Sequence, residues 1–489
     1  MRFLCVAQVV GRLLIVLAFI FLGPAIVAVY YGEETLAFFE AFGSTFVFGM
    51  LLKFIARNAS MHFTAKEGFA TVVFSWILLS IFGSLPYAYM DLGTDSFRFA
   101  DAVFETISGF TTTGSSVMQH IEAMPKSLLL WRSLTQWIGG MGIIVLFLAI
   151  LPMLGAGGFQ LFRAEIPGPT KDKLSPKIKN TATYLWLIYM GLTLLLAILL
   201  YLTGDMDWFD SICHSFTTVS TGGYSTKDAS IKAFNSWQVE VLIMIFMFVC
   251  SCNFGILILL IKAKYNQVYQ NEELRFYVTI IAFLILVMTL QNAYVSEPNT
   301  SFLKSLRMTT FQVITLISST GFSTADFDSW SSVCNVLIIL MMIIGGCAGS
   351  TSGGLKVFRL LVMLKVGKKQ IHQVIHPRGI FNIKTDGMVI EGGLISVILG
   401  FIILFFTFII VSMFVLLVFE GDKWSFQSLF AVSISCISNI GPGMLEFGPT
   451  DNFSKFSDAS KYWLSFLMLL GRLELYSILV FFHSDFWRK

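Results

Sequence analysis

Charge is scarce in this chain. Asp, Glu, Lys and Arg make up 13% of its 489 residues, against 56% hydrophobic. A soluble globule carries about a quarter charged residues, so this composition cannot cover a water-facing surface and belongs in a bilayer. The net charge of +3 is too small to imply a nucleic-acid partner. Seven cysteines, an odd number scattered mostly through apolar runs, do not form a disulfide framework; Cys250-Ser251-Cys252 reads as packing. No G-x-x-x-x-G-K-[ST] motif is present, so the chain offers no nucleotide site of its own. His372 and His376 form H-x-x-x-H in a basic loop with no third ligand nearby, which suits docking or structure better than zinc. His62, His120, His214 and His483 show no pairing for haem or metal, and catalytic carboxylates do not cluster. Both absences argue against a polytopic membrane enzyme. No apolar stretch carries the regularly spaced Arg residues of a voltage sensor.

What the chain has is apolar length. Stretches long enough to cross hydrocarbon lie near 13–31, 35–56, 68–90, 127–153, 182–203, 237–262, 276–296, 333–365, 390–419 and 457–483. Arg2 and Arg12 precede the first, but no small-x-small cleavage site follows, so a retained helix is expected rather than a signal peptide. Shorter half-apolar segments near 98–110, 207–218, 302–317 and 425–437 suit helices that dip in and return. Each ends in a Gly-terminated tetrad: TTTG at 111–114, VSTG at 219–222, SSTG at 318–321 and SNIG at 438–441. The four glycines stand 108, 99 and 120 residues apart, too far for a solenoid. The expected fold is an all-α polytopic membrane protein. It has an N-terminal transmembrane pair (1–60) and four pseudo-symmetric helix–pore-loop–helix repeats (61–160, 161–270, 271–385, 386–489) around a central ion pore.

The bases support one topology. Segments 53–66, 160–180, 262–275 and 356–384 carry most of the Lys and Arg and fall on one side of the ten-stretch arrangement, while Glu33, Glu34, Asp91, Asp95, Asp205, Asp207, Glu297, Glu420 and Asp422 fall on the other. The positive-inside rule makes the basic side and both termini cytoplasmic.

Non-helical backbone at membrane depth is tolerated only when buried in protein or lining a wet cavity. Four such loops around one axis would aim carbonyl oxygens at a monovalent cation in place of its hydration shell. The C-terminal ends of four short helices would add partial negative charge, and Gly would supply backbone angles that a Cβ opposes. A single tetrad alone would read as a helix-capping turn; the repetition points to a pore.

TTTGSS after FETISGF, VSTGGYS after FDSICHSF, ISSTGFSTAD and SNIGPG resemble the four filter loops of the Trk/Ktr/HKT superfamily of potassium transport proteins. FQLFRAEIPGPTKDKLSPKI (159–178) and LLGRLELYSILVFF (469–482) look like the TrkH-type pore subunits of bacterial Trk systems. The resemblance implies potassium uptake across a bacterial inner membrane, a homodimer and a cytosolic TrkA-type nucleotide-binding partner. It implies a filter of Thr111, Thr112, Thr113, Gly114, Val219, Ser220, Thr221, Gly222, Ser318, Ser319, Thr320, Gly321, Ser438, Asn439, Ile440 and Gly441. Within it K+ would be bound at Thr112, Thr113, Ser220, Thr221, Ser319, Thr320, Asn439 and Ile440. Gly114 stands where Ser is associated with sodium preference, which favours potassium over the alternative of a sodium-selective or sodium-coupled member. Asn439-Ile440 departs from the hydroxyl pattern and weakens the fourfold symmetry.

GGCAGSTSGG (345–354) interrupts the eighth stretch. Five of its ten residues are Gly, each costing a helix about 1 kcal/mol relative to Ala, so an intramembrane loop is expected across the path. The resemblance places a gate there, formed by Gly345, Gly346, Cys347, Ala348, Gly349, Ser350 and Thr351, with Lys356 just beyond. Arg472, read as midway along the last stretch, must face a partner or a wet cavity. Glu474 lies two residues away on a different helix face, so the loop's carbonyls are the expected partners.

Overall fold

A computed structural model describes residues 3–59, 64–92, 97–150, 178–296 and 301–488. The stretch 159–177, with Arg163, Lys171, Lys173 and Lys177, lies outside the described residues, as do Asp95 and Glu297. The architecture of the described residues is helical, with one hairpin of two-residue strands, Lys384–Thr385 against Met388–Val389, between helices Val357–Ile375 and Gly392–Glu420.

Among the described residues, six of the ten apolar stretches are helices long and apolar enough to cross a membrane: Phe3–Tyr31, Leu36–Ile55, Lys66–Tyr89, Thr183–Leu202, Glu272–Val295 and Gly392–Lys423. Lys126–Ile150 is a further long helix. Three stretches depart from the continuous spans expected. Residues 237–262 form Trp237–Ser251 and Phe254–Ile261 bent by 102°, and 457–483 form Asp458–Arg472 and Tyr476–Phe482 bent by 110°. Residues 333–365 divide into Ser332–Ile344 and Val357–Ile375 around the glycine-rich loop. The bends have local causes. Asn253 leaves helical geometry and its side chain caps the following helix at Gly255 N, while Glu474 and Leu475 both take positive φ. Arg472 therefore ends a helix rather than sitting mid-span.

Each repeat is a long helix, a short helix of 12–16 residues ending at its tetrad, and an inner helix. Three of the four inner helices start at a Ser N-cap: Ser236, Ser331 and Ser457 accept from the backbone N–H three residues on. Such a cap is worth about 1 kcal/mol and fixes where the chain turns back inward.

The N-terminal pair packs through glycine. A Cβ on Gly11 would lie 2.8 Å from Gly49 O, and one on Gly49 would lie 2.9 Å from Gly11 O, so the two backbones touch in the small-residue manner of membrane helices. Gly49→Leu should force them apart and lower stability by about 1–3 kcal/mol, read as a fall in the melting temperature of the detergent-solubilised protein.

Candidate functional site

The four short helices end alike. In the first repeat Thr112 N–H donates to Gly109 O at 2.9 Å and Thr113 N–H to Ser108 O at 2.8 Å. In the second Thr221 N–H donates to Thr218 O and Gly222 N–H to Thr217 O; in the third Ser319 N–H to Leu316 O and Thr320 N–H to Thr315 O; in the fourth Asn439 N–H to Cys436 O and Ile440 N–H to Ser435 O. Each is a Schellman closure, in which the residue between the two bonds takes the left-handed conformation. That residue is Thr112, Thr221, Ser319 or Asn439, with φ of 53–56°. A Cβ opposes this conformation at about 1–2 kcal/mol per residue. Asn tolerates it best, which rationalises the odd residue of the fourth repeat. The glycines are not the caps.

A second left-handed residue follows two positions later: Gly114, Gly223, Gly321 and Gly441, with φ of 84°, 78°, 83° and 111°. The spacing of the motifs expects Val219–Gly222 as the second tetrad. The backbone corrects this to Ser220–Gly223, because Val219 is still helical and fully buried and it is Gly223 that takes the positive φ.

These glycines interlock in a closed cycle. A Cβ on Gly114 would lie 2.2 Å from Gly222 O, on Gly223 1.7 Å from Thr320 O, on Gly321 2.1 Å from Ile440 O, and on Gly441 2.8 Å from Thr113 O. Each glycine thus abuts the carbonyl just before the glycine of the next repeat, and the fourth returns to the first. Conformation and contact both demand Gly there.

Side chains break the fourfold pattern. Thr111 and Thr113 hydroxyls pair at 2.7 Å, as do those of Ser318 and Thr320, whereas Gly222 and Ile440 leave the other two repeats no such partner. Asn439 Nδ2 instead crosses to Thr113 Oγ1 and to Met468 O, both at 2.9 Å. Seven residues before each left-handed cap stand Glu105, His214, Gln312 and Val432. The first three reach the loop beyond their own tetrad: Glu105 accepts from Val117 N–H, His214 Nε2 meets Ser225 Oγ, and Gln312 donates to Ala325 O. Arg132 is 2.8 Å from Glu105, both buried, donates to Ser225 O and covers the Tyr224 ring. Gln136 donates to Gly222 O. Sequence reasoning missed this shell. A buried acid and base in apolar helices was its only signal.

The loop at 345–356 lies against the tetrads. Gly345, Gly349, Gly354 and Lys356 have positive φ. Thr351 Oγ1 donates to Val219 O at 3.3 Å and to Cys250 O at 3.2 Å, and Gly353 N–H donates to Ser319 Oγ at 2.7 Å. Cys347 N–H donates to Ser251 O, and Ala348 N–H to the buried carboxylate of Glu273. Gly346 O accepts from Val357 N–H, and Ser350 Oγ donates to Cys347 O. Arg472, 3% exposed, donates to Thr351 O at 2.8 Å and to Gly139 O at 3.1 Å, so its partners are the expected loop and, unexpectedly, the first inner helix, Lys126–Ile150. Lys356 does not stand in the loop as an uncompensated charge. It pairs with Glu474 at 2.7 Å, and Arg359 pairs with the same carboxylate. Beyond the third tetrad, burial with Asp326, Asp451 and Glu446 nearby pushes the Asp328 carboxyl up to about 6.

Arg132→Met, which strands Glu105, should destabilise the protein by about 3–5 kcal/mol. The paired Arg132→Met/Glu105→Gln change should recover part of that loss in thermal unfolding.

The TrkH family model, described as a cation transport protein, matches residues 34–489. The Trk system potassium uptake protein TrkH of Escherichia coli strain K12 is 36% identical over 100% of both chains. TrkG of the same strain is 34% identical, covering 96% of this chain and 95% of its own. The crystal structure of the potassium transporter TrkH from Vibrio parahaemolyticus shares the fold, with a TM-score of 0.89 and 32% identity over 100% of each chain. A closed ring of loops, full-length likeness to transport proteins and several membrane-crossing helices assign the chain to transport rather than catalysis: it belongs to the TrkH family of cation transport proteins.

Proposed function

We propose that this chain takes up potassium across the bacterial inner membrane through a gated, channel-like pore. The observation that carries the proposal is the cyclic contact of Gly114, Gly223, Gly321 and Gly441 with the carbonyls of Gly222, Thr320, Ile440 and Thr113. Four backbone carbonyls brought to one ring can replace the hydration shell of a monovalent cation. The four helix C-termini ending there favour positive charge. The ion meets Thr112–Thr113, Thr221–Gly222, Ser319–Thr320 and Asn439–Ile440, and the filter is a single narrow ring. Potassium is the ion named for the relatives, and Gly114 keeps the residue associated with potassium preference in the resemblance.

The gate is the 345–356 loop with Arg472. A buried guanidinium donating to Thr351 O under the ring opposes a cation on the path, and no carboxylate forms an ion pair with it among the described residues. Control comes from a cytosolic nucleotide-binding partner. Helix Val357–Ile375 starts at the loop and ends in exposed, basic sequence, so a pull on that end reaches Lys356. The Glu474 pairs carry the same displacement to the chain just past Arg472. The functional unit is a homodimer, with both termini cytoplasmic.

Gly223→Ala should abolish rubidium uptake into liposomes, because its Cβ meets a neighbouring backbone carbonyl. Gly222→Ala, whose Cβ meets the Gln136 side chain rather than backbone, should retain part of it; the reverse order would refute the corrected register. Arg472→Ala should raise flux in the absence of the partner roughly tenfold, the effect of about 1.4 kcal/mol on a barrier. Unchanged leak and unchanged partner control would remove Arg472 from the gate.

A further inference from the structure

We propose that Gln136 sets the ion preference of the ring by holding one of its four carbonyls. The inference rests on the reading of the ring as the filter. Gln136 lies on the first inner helix, Lys126–Ile150, and is fully buried. Its Nε2 donates to Gly222 O at 2.6 Å, and its Oε1 accepts from Tyr224 N–H at 3.1 Å. One partner only accepts and the other only donates, so the side-chain amide has a single satisfied orientation. The result is a clamp across residues 222–224, the segment containing Gly223.

The clamp is unique within the ring. Among the described residues, no side chain donates to the carbonyls of Thr113, Thr320 or Ile440, although Gly222 O occupies the same place in the glycine cycle as they do. One repeat of the four therefore presents a carbonyl that already accepts a side-chain hydrogen bond. The Tyr224 side of the clamp is itself braced, since Tyr224 Oη donates to Glu105 O and its ring lies under Arg132.

Two consequences for a bound cation point the same way. The partial positive charge of the amide N–H lowers the negative potential that Gly222 O presents, and a weaker field favours the larger, more easily dehydrated ion. The clamp also resists inward movement of the carbonyl, which a smaller ion needs in order to be fully coordinated. Both disfavour sodium relative to potassium, in terms of the field strength and flexibility on which carbonyl filters select. Gln136 is thus a positioning residue that acts on the ion through Gly222.

The test is the reversal potential of the purified full-length protein in liposomes under opposed potassium and sodium gradients. Gln136→Leu and Gln136→Met stay apolar and uncharged in this buried position and remove the donor to Gly222 O. Each should shift the permeability ratio toward sodium by roughly three- to tenfold, the range that one hydrogen bond supplies. Testing both variants keeps the experiment decisive if one fails to fold. An unchanged ratio in a conducting variant, or a loss of flux that affects both ions equally, would overturn the proposal and leave Gln136 as a structural brace. Gly321→Ala run in parallel separates the two readings. If it alters flux or ratio while the Gln136 variants do not, only the Gln136 role fails. If it leaves both untouched, the filter reading fails first.

Discussion

Four glycines without side chains, each pressed on the next repeat's carbonyl, are the constraint on which the rest of the structure depends. The contacts are too close for any Cβ, and they are cyclic, so no one of them relaxes without disturbing its neighbours. Everything around the ring is built to hold those backbones at that distance. The Schellman closures fix the exit angle of each short helix, the Ser caps fix where the inner helices begin, and buried polar side chains tie each loop to the wall behind it. Holding Thr112, Thr221 and Ser319 in the left-handed conformation is unfavourable, and strain of this kind is commonly kept at functional sites.

The ring is fourfold in its backbone and lower in symmetry in its side chains. Hydroxyl pairs recur only in the first and third repeats, Asn439 bridges the fourth to the first, and the position behind each loop is filled by acid, imidazole, amide or aliphatic group. The 345–356 loop adds to the asymmetry, because it comes from the third repeat alone and is pinned to the second, third and fourth by Thr351, Gly353 and Arg472. One chain carrying four unequal quarters has room for a different job in each.

The repeats were legible in the sequence because a hydroxyl-rich, Gly-terminated tetrad after a short amphipathic segment is conspicuous in so apolar a chain. The glycine-rich loop was legible for the same reason. The register of the second tetrad was not. Two adjacent glycines, 222 and 223, are equivalent locally, and the choice between them is made by Thr320, a neighbour from another repeat. The bend after Arg472 was also hidden, since neither Gly nor Pro stands at Glu474 or Leu475. Their positive φ is accompanied by the ion pairs of Glu474 with Lys356 and Arg359, more than a hundred residues earlier in the chain. Gln136 looked like any polar residue in a helix because its significance lies wholly in the carbonyl it meets.

Closure of the ring has a consequence for biosynthesis. Two of the bonds that join the last repeat to the first, Asn439 to Thr113 and Ser115 to Gly441, each span 326 residues. While the chain emerges N-terminus first, three repeats enter the membrane with an open seam where the fourth belongs. Thr113 and Ser115 then face that seam without their final partners. The ring closes only after the last helices have inserted, so a product truncated before the fourth repeat carries three loops and an open ring.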